Sequence, residues 1–297
     1  MINGILILDK GEGITSHTAT ARVRRLLGAD KAGHTGTLDP LATGVLPILL
    51  GRAVKASEYM ISSDKHYIAT MLLGITTDTE DVTGETLTHS DKIPSEGEVR
   101  SAVASMLGES SQTPPMYSAL KVGGKKLCDL ARRGEVVERE ARQIIVYKIE
   151  TTKINEREYE LDVVCSKGTY IRTLCADIGE KLGVGAVMKT LRRAESAGFT
   201  LSDSVTLDRL ENMSGEERIG CVIPIEKVFE RLRRVKLSDF FARLARSGAE
   251  IYLKKIGIDI PLGERVSLYD GSGFFALGEV RDFDGALAIK PIKQFDI

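Results

Sequence analysis

Apolar and polar positions along the chain change rhythm several times, and each rhythm predicts an element. Residues 2–8 are apolar and β-prone and predict a buried strand. Ser16 is placed to cap a helix that runs to about Leu27 and stops at Gly28; Val23, Leu26 and Leu27 share one face, with Arg22, Arg24 and Arg25 mostly elsewhere. Residues 31–47 are rich in Gly, Thr and Pro, show no period and read as a loop, long enough to point to function. Helix signals return over 52–61, and 67–73 reads as a strand. Residues 74–94 are polar and loop-like, 95–107 helical, and Gln112-Thr113-Pro114-Pro115 is a break. A short amphipathic helix is expected within 125–133. Residues 144–152 and 159–165 alternate and predict a hairpin around Asn155, with Tyr159, Leu161, Val163 and Cys165 on one face. Residues 170–182 and 186–193 read as helices. The sum is an α+β fold, a mixed and largely antiparallel sheet flanked by helices.

Near residue 230 the texture shifts to short β runs at 266–268, 274–280 and 286–291, separated by Asp270-Gly271 and Asp284-Gly285. This predicts two domains, 1–230 and a small β-rich 231–297.

Composition confirms a globular chain: 297 residues, 42% hydrophobic and 28% charged. The net charge of −1 gives no overall basic signature of nucleic-acid binding, but the average hides local structure. Residues 71–115 carry eight acids against Lys92 and Arg100, whereas 121–142 carry Lys121, Lys125, Lys126, Arg132, Arg133, Arg139 and Arg142 against four acids. The second kind of segment suits an RNA surface. Cys128, Cys165, Cys175 and Cys221 form no CxxC or zinc spacing and read as small buried hydrophobes of a reducing cytosol. No apolar run approaches a membrane span, and the apolar run at 5–8 is too short for a signal peptide.

The motifs of nucleotide, zinc and serine-nucleophile chemistry are missing. Residues 78–84 resemble a calcium loop only superficially, because Val82 stands where an oxygen ligand is required, and they read as a solvated loop. What remains is Gly33-His34-Thr35-Gly36-Thr37-Leu38-Asp39-Pro40-Leu41-Ala42-Thr43-Gly44. Its glycines permit close turns, and Pro40 restrains the chain beside Asp39. Alone, an Asp before Pro is most simply a turn former.

The whole string, however, resembles the active-site motif of the TruB family, the bacterial tRNA pseudouridine-55 synthases. Leu8-Asp9-Lys10 with Gly13-Ile14-Thr15-Ser16, Lys65-His66-Tyr67, the block at 112–121, Leu130-Ala131-Arg132-Arg133-Gly134, the block at 165–174 and Leu191-Arg192-Arg193 match further family segments in order across residues 1–200. The chain departs from the family pattern at Gly11, usually Pro, and at Cys128, usually Tyr. The C-terminal part is similar, by position and texture, to a PUA-type RNA-binding domain.

The resemblance implies a pseudouridine-synthase fold and isomerisation of uridine 55 in the T-arm of tRNA, with no cofactor and no metal. It implies Asp39, Tyr67 and Arg172 as the catalytic set. Side-chain physics then predicts that a neighbouring Arg172 lowers the Asp39 pKa further, which suits an ionised nucleophile and not a proton shuttle. The flipped base stacks on Tyr67; His34, Tyr170 and Leu191 contact the substrate, and Lys10 is a substrate contact to phosphate or a support of the catalytic loop. Lys121, Lys125, Lys126, Arg132 and Arg133, within a basic insertion at 116–142, hold the RNA backbone together with Arg192 and Arg193. A cytoplasmic monomer without an obligate protein partner is expected. Two alternatives stay open: a guide-RNA-dependent enzyme of ribosomal RNA, and a non-catalytic RNA-binding or folding factor.

Overall fold

The computed structural model describes residues 2–295, apart from the side chains of Lys121 and Lys126. The first strand, β1 (Gly4–Lys10), is almost wholly buried, as its apolar run requires. Helix α1 (Ser16–Leu27) turns Ala19, Val23 and Leu27 to the core and ends at Gly28 in the left-handed conformation. Its N-cap is Thr15 and not Ser16: the Thr15 hydroxyl accepts from the Thr18 N–H, and Ser16 is freed for another task.

The stretch read as one loop contains two strand segments, 32–34 and 43–47. β2 (Ala32–His34) pairs antiparallel with β3 (Thr43–Leu50), which leaves only 35–42 as loop. β3 shows no alternation because both its faces are buried, so period-2 reasoning passes over it. A short 3-10 turn and α2 (Ser57–Ile61) lead into β4 (Lys65–Leu73), whose alternate residues are buried. The polar stretch that follows holds a small ribbon, β5 (Ile75–Thr77) with β6 (Thr86–His89). Helix α3 (Glu96–Ala104) starts at a Ser95–Glu98 capping box, and β7 (Gly108–Gln112) precedes the proline break.

The basic segment contains a two-rung hairpin, β8 (Lys121–Val122) and β9 (Lys125–Lys126), and helix α4 (Leu127–Ala131). β10 (Arg142–Lys153) and β11 (Glu158–Cys165) form the expected hairpin, with Tyr159, Leu161, Val163 and Cys165 inward. Helix α5 (Ile171–Lys181) follows.

The next segment overturns its reading: residues 186–193 belong to a strand, β12 (Ala186–Ser196), not a helix. Ala, Met, Leu and Arg favour a helix locally. Here β4 pairs with β12 along one edge and β3 with the other, and those two ladders override propensity. β13 (Phe199–Thr200) and β14 (Val205–Thr206) complete the sheet. Among the described residues it has ten strands, with the path β14-β1-β3-β12-β4-β11-β10-β7, β2 beside β3 and β13 beside β12. Only β1–β14 and β3–β12 pair parallel, so the sheet is mixed and largely antiparallel.

Helices α6 (Leu207–Asn212) and α7 (Gly215–Gly220) pack beside α1. A second, PUA-like sheet then follows: β15 (Arg233–Lys236), α8 (Asp239–Arg246), β16 (Ile251–Tyr252), β17 (Arg265–Asp270), β18 (Gly273–Phe283) and β19 (Ala286–Gln294), in the order β15-β17-β18-β19-β16. Asp284 and Gly285 both take positive φ (53° and 81°), the two-residue hairpin turn their sequence predicts. Phe229, Phe274, Leu277 and Phe295 join Ile5, Ile7, Val45 and Leu49 in one apolar cluster, so the second sheet is sealed against β1 and β3. No helix among the described residues is long and apolar enough to cross a membrane.

Candidate active site

The 35–42 loop hangs between β2 and β3 and is pinned from three sides. The Ser16 hydroxyl donates to the Leu38 carbonyl (2.9 Å) and accepts from the Leu38 N–H (2.8 Å). Lys10 is fully buried, and its ammonium donates to the carbonyls of Gly11 (2.8 Å), Ile14 (2.8 Å) and Pro40 (3.3 Å). Burial lowers its pKa to about 8, although Asp39 pulls it back up. Lys10 therefore supports the loop from inside, and its expected contact with substrate is corrected. Gly36 holds φ at 78°, and its carbonyl accepts from Arg193 (2.9 Å). A Cβ there would stand 3.2 Å from the Arg193 guanidinium.

This support leaves Asp39 facing α5. Arg172, 4% exposed, sets its Nε 3.2 Å from an Asp39 carboxylate oxygen. Its other nitrogens reach the carbonyls of Thr79 (3.3 Å) and Tyr117 (2.9 Å) and, at 3.5 Å, the carboxylate of Asp81. Asp81 is 3% exposed and accepts from the hydroxyls of Thr79 and Thr83 and from the Thr83 N–H. The solvated-loop reading of 78–84 is thus wrong at its centre. Asp81 is a buried counter-charge, and Val82 at 40% exposure takes the outward position. One guanidinium spans two carboxylates, as its planar fork of donors allows.

Burial pushes the Asp39 pKa above the ordinary aspartate value; Arg172 opposes this, Asp81 adds to it and Lys10 opposes it. The expected lowering is therefore reversed. Arg172 is shared with Asp81, so its charge does not fully offset the loss of water. Its part is to hold and partly compensate the carboxylate. If Asp39 acts ionised, the acid limb of kcat/KM has its midpoint above about 3.9, the unperturbed aspartate value. A pH–rate profile with a midpoint at or below that value would contradict this.

Asp39 lies in a pocket of about 540 Å³ that Tyr67, Tyr170, Arg172 and Leu191 also line. Tyr67 comes from β4 and Leu191 from β12, each 8% exposed. Burial raises the Tyr67 pKa against the nearby Arg193, so its hydroxyl keeps its proton. Tyr170 caps α5, and its N–H and carbonyl are both held by the Gln112 side chain (2.8 and 3.1 Å). Lys65 also lines the pocket, bonded to the carbonyls of Ile61 and Ser63, with burial lowering its pKa to about 8. The residues missed by sequence reasoning are Asp81, Ser16, Lys65 and Gln112. The Thr79-x-Asp81-x-Thr83 pattern, two hydroxyls flanking a carboxylate, is the one signal that marks Asp81 as structured.

Other expected contacts lie elsewhere. His34, on β2, is half-buried and does not line the pocket. Arg193 is 1% exposed and donates to the carbonyls of Val45 and Gly36, so it is an internal strut and not a surface RNA contact. Arg192 is partly exposed but paired with Asp9 at 2.8 Å. Lys125, Arg132 and Arg133 are exposed, with Arg132 3.7 Å from Asp129. The side chains of Lys121 and Lys126 lie outside the described residues.

Lys10→Met keeps the length of the side chain but strips three carbonyls of their donor. We expect a loss of about 1–3 kcal/mol per group left unpaired and a lower kcat. A thermal melt and a turnover assay that match the parent protein would disprove the clamp.

Residues 24–171 match the model of the TruB family pseudouridylate synthase N-terminal domain, and 172–230 that of the tRNA pseudouridylate synthase B C-terminal domain. The chain is 42% identical over 285 residues to tRNA pseudouridine synthase B of Alkaliphilus oremlandii, covering 95% of each chain. With the namesake of Neisseria meningitidis serogroup A it shares 42% over 274 residues, 92% of this chain and 89% of the relative. Among solved structures, the archaeal box H/ACA Nop10–Cbf5 complex contains a similar chain (TM-score 0.69, 28% identity, 98% of this chain and 86% of that one). An H/ACA RNP bound to a substrate RNA containing 2′-deoxyuridine contains another (TM-score 0.72, 26% identity, 98% and 84%). With matches of this length on a sheet and loop of this geometry, the chain belongs to the TruB family of pseudouridylate synthases.

Proposed function

We propose that the chain isomerises uridine 55, in the T-arm of tRNA, to pseudouridine. The observation that carries this reading is the Arg172–Asp39 pair, at 3.2 Å, in a pocket lined by Tyr67, Tyr170 and Leu191. The reaction breaks the bond between N1 and the ribose carbon and forms one from C5; a proton leaves C5 and one is gained at N1. Nothing is oxidised. A base stacked in a folded loop must first be flipped out, at a cost of a few kcal/mol. Tyr67 supplies a face for the flipped base and a protonated hydroxyl, and Tyr170 and Leu191 the pocket walls. Asp39 acts as the nucleophile. The Arg172 guanidinium beside it favours the ionised form, and the cost of its burial is shared with Lys10 and Arg172. His34 stands on β2 outside the pocket and, in this reading, meets the RNA from which the base has left.

In this reading residues 1–230 form the catalytic domain and 231–297 a PUA-like RNA-binding domain. The exposed Lys125, Arg132 and Arg133 of the 116–142 insertion grip the backbone, which positions the RNA without selecting its sequence. The protein works in the cytoplasm as a monomer, without an obligate protein partner. The higher identity to tRNA enzymes, 42% against 26–28% for the H/ACA chains, favours this over a guide-dependent role.

The test is to incubate the purified chain alone with unmodified tRNA and map pseudouridine. Product at position 55 without guide RNA supports the reading; none, or product only elsewhere, refutes it. Arg132→Ala with Arg133→Ala should weaken tRNA binding and reduce its salt slope by about 1.4–1.8, at 0.7–0.9 per phosphate contact. An unchanged slope would remove this segment from the interface.

A further inference from the structure

The outer side of α1 carries a groove separate from the Asp39 pocket. It encloses about 820 Å³ and is lined by Thr18, Ala21, Arg22, Arg24, Arg25 and Gly28, among others. Between Gly13 and Gly36 the fixed cations Arg22, Arg24, Arg25 and Lys31 face a single acid, Asp30, in a chain whose net charge is −1. All four are exposed. Arg22 approaches Glu211 only to 3.9 Å, with both side chains well solvated. Arg24 and Arg25 enter no ion pair among the described residues; only their carbonyls are engaged, by the helix cap.

A helix C-terminus attracts basic residues by its dipole. That accounts for Arg24 and Arg25 in the last turn, but not for Arg22 or for Lys31 beyond the helix. Nor does it explain why Thr18, Ala21 and Gly28 hollow the surface between the arginines. Uncompensated like charges repel one another, and a polyanion would relieve them.

The groove shares no lining residue with the Asp39 pocket, but its helix packs against the strand that leads into the Asp39 loop. α1, with His17 in its first turn, packs beside β2, the strand that ends in His34. From His17 to Arg25 the helix rises about 12 Å, at 1.5 Å per residue. A nucleic-acid strand advances about 3.4 Å per phosphate, so such a stretch passes three or four of them. No aromatic ring lines the groove for base stacking, and guanidinium groups match phosphate oxygens.

We propose that this face of α1, with Lys31, is a track for the sugar–phosphate backbone of the RNA whose flipped nucleotide occupies the Asp39 pocket. It rests on the RNA-modifying reading above. It adds a second anchor, on elements distinct from the 116–142 insertion.

The test compares wild type, Arg24→Gln/Arg25→Gln and a control, Lys92→Gln/Lys181→Gln, which removes two exposed cations elsewhere. Binding of full-length unmodified tRNA is measured across a salt series, with turnover at saturating tRNA. Thermal melts establish that each variant is folded. The α1 variant should weaken binding and lower the salt slope by about 1.4–1.8, with kcat unchanged, while the control keeps the wild-type slope. An α1 variant with the wild-type slope overturns the proposal, whatever else the arginines bind. So does a control that lowers the slope equally, since the effect would then be one of overall charge. Failure of the functional reading is distinguishable, because wild type itself would then form no pseudouridine.

Discussion

Asp39→Asn should abolish pseudouridine formation while leaving tRNA binding intact. Asparagine keeps the shape and an oxygen that can accept from the Arg172 Nε, which now lies 3.2 Å away. It loses the charge that attacks. Removal of a nucleophile costs on the order of 10⁴-fold or more in kcat. Release of tritium from C5-labelled uridine in tRNA measures the step directly, and turnover within tenfold of wild type would sink the assignment. Stability separates this from a structural role. Burial raises the Asp39 pKa, so the folded state binds its proton more tightly than the unfolded chain does. The ionised carboxylate is therefore a stability cost. That cost is absent below the unfolded aspartate pKa, grows as pH rises toward the raised folded value and is full above it. Asp39→Asn should melt at or above the wild-type temperature at pH 7, and that advantage should vanish in acid.

Arg172→Met should be damaging in both respects. Methionine fills much of the volume but abandons two carboxylates. Asp81 has a side chain only 4% exposed, and Asp39 one 34% exposed, so Asp81 carries most of the penalty. Breaking a buried pair by deleting one partner costs about 3–5 kcal/mol, or roughly 6–20 °C in melting temperature for a domain of this size. Turnover should drop by about 10²-fold or more, as the Asp39 carboxyl loses its orientation. The double variant Arg172→Met/Asp81→Asn discriminates between the two losses. It removes the stranded charge and should recover most of the stability but none of the activity. A single variant that melts within 2 °C of wild type would show that the pair contributes little, and equal recovery of activity would show that Arg172 acts only by folding.

The exposed Lys125, Arg132 and Arg133 were legible in the sequence as a basic run and remain surface charges in the fold. The candidate pocket was legible only in part. Asp39, Tyr67, Tyr170 with Arg172, and Leu191 come together from four places in the chain, and the motif strings named them by resemblance before any geometry. Arg193 looked like a surface cation, and Lys10 could equally have met phosphate or supported the loop, because a single sequence does not reveal which side of a strand faces inward. Both are in fact spent on carbonyls of the Asp39 loop and of β3. Asp81 sat unnoticed in an acidic run because its partner is Arg172, 91 residues later.

The sequence by itself determined the elements whose signals are local. α1 stops at Gly28 because only a residue without Cβ enters that conformation cheaply. The 142–165 hairpin follows from alternation, and the Asp284-Gly285 turn from the φ it demands. Tertiary structure alone decided that 186–196 is a strand, since two partner strands outbid helix propensity. It also decided that β3 is a strand buried on both faces, and that Arg172 is divided between Asp39 and Asp81. That division reversed the expected shift of the Asp39 pKa. Desolvation and charge sharing depend on what surrounds a carboxylate in space, and no local pattern along the chain encodes that.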